Sequence, residues 1–335
     1  MSATSAAILG CAGPRLTEPE RRFFARAQPW GFILFARNCE SAAQTAALVA
    51  DLRDCVGRRA PVLIDQEGGR VTRLSEDAGR RWLPPLDAVA RAGERAADML
   101  RLRYRVIAHE LSALGIDVNC APLADIATPA THPFLRNRCL GETPGAVAAR
   151  ARAVAEGLLA GGVLPVLKHI PGHGRATADS HHDLPRVEAP LADLRLTDFA
   201  PFAALSDLPM GMTAHVVYAA LDDRAATVST TAIGLIRQEL GFGGLLMTDD
   251  LSMQALSGDV GGRAAAARAA GCDIALHCNG DLAEMEAVIA AAGPLAGAAA
   301  ARAEAALARR RTPEPVDIAA LEAKHDALLA GARDG

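Results

Sequence analysis

The chain has 335 residues, half of them hydrophobic and 22% charged, with 35 basic against 39 acidic side chains and a formal net charge of -4. Such a composition excludes a disordered linker, and without a long basic run it points away from nucleic acid as a partner. The opening MSATSAAILGCAG carries neither a basic n-region nor a long apolar stretch, so no signal peptide or membrane anchor is expected and the reading is a cytoplasmic protein.

Short β-rich apolar runs alternate with longer amphipathic segments along the chain. Strands are predicted at residues 6–10, 31–35, 61–65, 116–121, 163–169, 210–216, 243–249 and 272–277. Helices are predicted between them near 18–28, 41–56, 86–113, 144–160, 191–205, 229–240 and 261–270, with more helix from about 281 to the end. About eight βα units match the number that closes a parallel barrel. An open doubly wound sheet shares this alternation, but it usually announces a nucleotide with a glycine-rich turn after the first strand. Here that strand leads into GCAGPRLTEPE, where Pro14 interrupts the turn and no GxGxxG appears. The expected fold is therefore α/β, a (β/α)8 TIM-type barrel forming a single domain over residues 1–335, with a helical C-terminal segment from about 295. The basic run Arg309 to Arg311 in that segment reads as a solvated helix face.

The seven cysteines are odd in number and none lies in a CxxC pair. That disfavours a disulfide framework or structural zinc and suits small buried apolar residues. Only two lysines occur, Lys168 and Lys324, which makes the one inside a motif conspicuous.

In a parallel barrel, catalytic groups sit where strands end and βα loops begin. Several predicted strands end in polar residues: Asp65, Lys168 with His169, Asp249 and His277, while the sixth runs into His215. A buried strand does not need a charged terminus to fold, so this ring reads as a polar pocket. The densest motif is KHIPGHGRATADSHHDLP, from Lys168 to Pro185, with four histidines, two aspartates and a lysine in one strand end and its loop. Asp179 and His181 lie two apart, so in an extended segment they point the same way. A carboxylate there would make the imidazole a better proton shuttle, and an Asx turn followed by a surface histidine fits the spacing equally well. In GLLMTDDLSM, Asp250 could cap a helix starting at Leu251, leaving Asp249 at the strand tip as a candidate nucleophile or metal ligand. In LIDQEGGRVTR the glycine pair turns Arg70 or Arg73 back towards the barrel rim. The set could hold a hydroxyl-rich ligand or simply form a salt bridge.

Together KHIPGHGRATADSH, LIDQEGGRVTR and GLLMTDDLSM resemble the β-N-acetylhexosaminidases of glycoside hydrolase family 3, specifically the short single-domain type of peptidoglycan recycling. The likeness extends to WGFILFARNCES, to the segment from His132 to Gly141 and to that from Met212 to Val216, covering residues from about 5 to 290 in order. The resemblance implies a retaining mechanism in which Asp249 is the nucleophile, His181 the general acid and then base, and Asp179 its partner. It also implies that Asp65, Arg73, Arg138, Lys168 and His169 contact a non-reducing N-acetylglucosamine. Gly172 and Gly174 are expected to give the histidine loop freedom to close. Two departures bear on pocket shape: Ile170 stands where the family often has an aromatic, and Cys139-Leu140 replaces a commoner Ser-Phe pair.

Aromatics are only 4% of the chain, few stacking platforms for a long polysaccharide, so the expected substrate is a small soluble muropeptide fragment. No cofactor and no metal is implied. One rival is a metal-dependent barrel hydrolase with His169, His173, His181 and Asp249 around zinc. The other is a catalytically silent sugar-binding barrel.

Overall fold

The computed structural model describes residues 3–176 and 184–330. Eight parallel strands form one sheet: β1 (Ser5–Leu9), β2 (Pro29–Leu34), β3 (Val62–Ile64), β4 (Val118–Asn119), β5 (Leu164–Ile170), β6 (Met210–Thr213), β7 (Leu245–Met247) and β8 (Ala275–His277). They neighbour one another in chain order, and β8 returns to pair with β1. The circle closes where Met247 bridges Ile274 and the Asp273 amide donates to the Leu246 carbonyl at 2.7 Å. This is the expected (β/α)8 barrel as a single domain.

Side chains alternate between two apolar layers, as the pleat requires. Ile8, Ile33, Leu63, Val118, Val166, Met210, Met212, Leu245, Met247, Ile274 and Leu276 fill the barrel interior. Their strand neighbours, such as Leu34, Ile64, Leu167 and Leu246, face the surrounding helices. Full burial of each such side chain is worth roughly 1.5–3 kcal/mol, so this alternation fixes which way every strand tip points.

The helical ring includes α1 (Glu18–Ala27), α2 (Ala42–Val56), α3 (Pro85–Ala92), α4 (Ala96–Ala113), α5 (Pro133–Arg136) and α6 (Pro144–Ala160). It continues with α7 (Leu191–Leu196), α8 (Ala200–Ala204), α9 (Thr230–Gly234), α10 (Val260–Ala270), α11 (Leu282–Ala292), α12 (Gly297–Ala308) and α13 (Ile318–Ala330). The single helix expected over 86–113 is divided at Gly93, which ends α3 at φ +59°. That expected over 191–205 is split into α7 and α8. The expected sixth strand stops at Thr213; beyond it Val217–Tyr218 pairs with Arg186–Val187 in a separate two-stranded ribbon.

The N-terminal mouth of the barrel is plugged. Ala303 and Ala306 of α12 belong to the interior apolar layer, and Arg302 reaches Asp273, just before β8, at 2.6 Å. Arg310 lies 2.8 Å from Asp117, just before β4. The expectation of a solvated face at Arg309 to Arg311 is thus corrected for Arg310, which follows the helix and is drawn inward by a buried carboxylate.

α13 packs on α3 and α4 beside Glu110. The Glu110 carboxylate accepts the Arg80 amide at 2.7 Å, and burial, with Glu322 adding to it, pushes its pKa up to about 7. A carboxyl whose folded pKa lies above its unfolded value loses stability as pH rises from the unfolded value to the folded one. Glu110→Gln is therefore expected to raise the melting temperature at pH 8 and leave it nearly unchanged at pH 4, checked by thermal scans across that range.

Candidate active site

The inward rows of three strands continue into the C-terminal mouth. Asp65 follows Leu63, Lys168 follows Val166 and Asp249 follows Met247, each two residues on and so on the inner side. These residues, with Arg73, Arg138, His169, Phe35, Phe134, Met212 and Met253, line one cleft of about 280 Å³. Six of the eight residues expected at the site are thereby brought together. Asp179 and His181 lie outside the described residues.

Lys168 is the hub of the cation side. Its Nζ stands 2.7 Å from Asp65 Oδ1 and 2.7 Å from Glu67 Oε1. Glu67 also takes a bidentate pair from Arg138, at 2.9 and 2.8 Å, and Arg73 lies 3.6 Å from Asp65. Burial alone would raise both carboxyls, but Arg138 and Lys168 hold Glu67 well below the usual carboxylate range, and Lys168 and Arg73 hold Asp65 below it. For Lys168, burial is outweighed by Asp65 and Glu67, which keep the ammonium charged. Paired charges of this kind present oriented donors and acceptors to hydroxyls.

His169 joins this row out of register. The ladder between β5 and β6 shifts between Leu167 and Ile170, an irregularity of the kind that re-aims a side chain. Its Nδ1 meets Asp125 Oδ2 at 2.8 Å, and Asp125 also accepts the His173 amide at 2.6 Å. Burial first, then His169, pushes the His173 imidazole down to about 4, which leaves it neutral at physiological pH.

Asp249 stands opposite. Its Oδ1 accepts the Asp250 amide at 2.8 Å, which fixes the carboxylate's rotation. Burial would raise its pKa, but His215, His169, the Asp250 amide and Lys168 together hold it below the ordinary value. Burial also pushes His215 down, so at neutral pH the Asp250 amide and the Lys168 ammonium still hold the anion. His215 is tied to Thr227 and the Asp250 carbonyl at 2.8 and 3.0 Å, beneath the site.

Several expectations are corrected. No helix begins at Leu251. Asp250 accepts from Ser252 and from the Cys278 amide at 3.0 and 3.1 Å, joining the β7 tip to that of β8, and the helix starts only at Val260, capped by Asp259. His277 does not reach the cleft, because the inward parity of β8 falls on Leu276 and Cys278; it faces Glu284 at 3.5 Å. Gly172 and Gly174 also make room for neighbouring backbone: a Cβ would meet Asp198 O at 2.9 Å in the first and Ile126 O at 2.0 Å in the second. Arg70 donates to the Phe134 carbonyl, so Asp65 pairs with Lys168 and Arg73. Sequence reasoning missed Glu67 and Asp125 as organising groups. For Asp125, a lone acid in the apolar run CAPLADIA was the available signal. Among the described residues, no group of three or more His, Cys, Asp or Glu side chains is arranged for a metal ion.

The glycosyl hydrolase family 3 N terminal domain matches residues 10–310. A curated relative from Bordetella avium (strain 197N), named Beta-hexosaminidase, is 38% identical over 281 residues, 81% of this chain and 80% of its own. The crystal structure of NagZ from Neisseria gonorrhoeae in complex with N-trifluoroacetyl-D-glucosamine is similar over 98% of both chains, with a TM-score of 0.84 and 30% identity. A glycoside hydrolase family 3 beta-N-acetylglucosaminidase from Paenibacillus sp. str. FPU-7 shows a TM-score of 0.81 at 31% identity, over 98% of this chain and 63% of that one. On the extent of these matches and the barrel that carries them, the chain belongs to glycosyl hydrolase family 3.

Proposed function

We propose that the chain, a β-N-acetylhexosaminidase by family and relatives, acts over residues 1–335 as one exo-acting, retaining unit. It removes non-reducing N-acetylglucosamine from soluble peptidoglycan fragments in the cytoplasm. The observation that carries this reading is Asp249, turned into a small cleft and held ionised opposite the Asp65, Lys168, Glu67 and Arg138 array. At about 280 Å³ the cleft falls just below the ~300–1,000 Å³ usual for small-molecule sites, which favours one sugar ring over a polysaccharide.

In the first step Asp249 attacks the anomeric carbon while His181 gives a proton to the departing glycosidic oxygen. In the second, His181 takes a proton from water as the water attacks the anomeric carbon from the face the leaving group vacated, breaking the bond to Asp249 on the opposite face. Asp179 holds the imidazole orientation. Asp65, Arg73, Arg138, Lys168 and His169 bind the sugar hydroxyls and amide.

Incubation with a 2-fluoro or 5-fluoro glycosyl fluoride analogue of the sugar, followed by peptide mapping, is expected to place the covalent label on Asp249. Proton NMR of the first product is expected to show the β anomer. A label elsewhere, or initial release of the α anomer, would refute the retaining route.

A further inference from the structure

The loop after β3 is held from behind in a way the reaction above does not use. Arg103 of α4 is fully buried, and its Nη2 donates to the Glu67 carbonyl at 2.6 Å. The Tyr104 hydroxyl donates to the same carbonyl at 3.1 Å. The guanidinium stands 5.5 Å from the Trp82 ring centroid and 5.7 Å from that of Tyr104, and its Nε has no hydrogen-bond partner among the described residues. A Cβ on Gly68 would fall 1.8 Å from Nη2, so the loop backbone lies directly on the cation.

Behind Trp82 stands the last helix. The His325 ring meets Trp82 edge-on, with centroids 5.0 Å apart. Arg80 covers the same indole at 4.9 Å and reaches Asp326 of α13 at 2.6 Å. All of α13 lies beyond residue 310, where the family match ends.

Burying a guanidinium costs several kcal/mol unless good pairing offsets it, and an apolar side chain of similar volume is often as stable or more so. Among the described residues Arg103 makes one hydrogen bond, to a backbone oxygen, so stability alone does not account for a charge at this position. What the contact fixes is the main chain of Glu67. The Glu67 carboxylate then holds Lys168 and Arg138.

We propose that Arg103 is a positioning residue for the sugar site, acting through Glu67 on Lys168 and Arg138, and that His325 of the C-terminal helix keeps it in place through Trp82. This rests on the proposed role of Lys168 and Arg138 as sugar contacts. Those contacts bind the substrate before and during reaction alike, so their loosening reads in KM more than in kcat.

The test is steady-state kinetics with 4-nitrophenyl N-acetyl-β-glucosaminide on Arg103→Met, His325→Ala, the double variant and Lys168→Met, each with a melting curve. Arg103→Met is expected to raise KM about tenfold and change kcat by less than about threefold. His325→Ala is expected to raise KM about threefold, and the double variant to rise no further than Arg103→Met, as two members of one relay should. If Arg103→Met does not fold, Arg103→Lys, which keeps the charge but loses the fork, is measured in its place with a smaller rise expected. An unchanged KM in the Arg103 variant, whatever its melting temperature, overturns the proposal. So does a His325→Ala enzyme with normal KM, or a double variant whose effects simply multiply. If Lys168→Met also leaves KM unchanged, the failure lies in the sugar-contact reading; if it raises KM while Arg103→Met does not, the relay alone fails.

Discussion

Replacing Asp249 by alanine is expected to cut turnover of 4-nitrophenyl N-acetyl-β-glucosaminide by on the order of 10⁴-fold or more while the protein stays folded. The side chain sits at the strand tip, past the last ladder residue Met247, and is partly exposed. Its one hydrogen bond among the described residues, from the next amide, contributes roughly 0.5–1.5 kcal/mol, and its burial works against the charge. Removing it therefore takes little from the fold and takes the covalent route away. Sodium azide gives a second readout. A small anion entering the space left by the carboxylate attacks the same face of the sugar, so added azide is expected to restore part of the turnover and yield the α-glycosyl azide. Parent-like activity in Asp249→Ala, or a β-azide product, would end the proposal that this carboxylate is the nucleophile.

His181→Ala is expected to lose about 10²–10⁴-fold on sugars with poorly acidic aglycones, the usual contribution of a general acid. Much less should be lost with 2,4-dinitrophenyl N-acetyl-β-glucosaminide, whose leaving group departs without a proton. Deglycosylation still needs a base, so the slow step for the activated substrate becomes release of the sugar from Asp249, and a burst of dinitrophenol should precede the steady rate. An equal loss on both substrates would point to a structural role for the histidine. Asp179→Asn is expected to lie between parent and His181→Ala, because an amide can orient an imidazole but cannot stabilise its charged form.

The barrel was legible from the alternation of apolar runs, since eight βα units with no phosphate-binding turn leave few other arrangements. The inward row of Asp65, Lys168 and Asp249 was legible for a related reason: folding does not call for charge at a buried strand tip. Parity was harder to read. His277 is polar and terminal like the others, yet it turns outward, because the inward face of β8 depends on its pairing with β1. The least visible part was the charge network. Glu67 and Arg138 are 71 residues apart in the chain, and Asp125 and His169 are 44 apart, so nothing local marks either pair. At Gly172 and Gly174 the sequence could not show that Asp198 and Ile126 leave no room for a Cβ.

The stopper formed by α12, with Ala303 and Ala306 under the inner side chains, turns the reaction chamber into a cul-de-sac. Whatever comes in must go out past the same threshold, and on the proposed covalent route departure has an order: the aglycone first, then the monosaccharide once hydrolysis has freed it. If that route holds, free N-acetylglucosamine competes with substrate for the vacant enzyme, and an alcohol waiting at the doorway intercepts the tethered sugar in place of water.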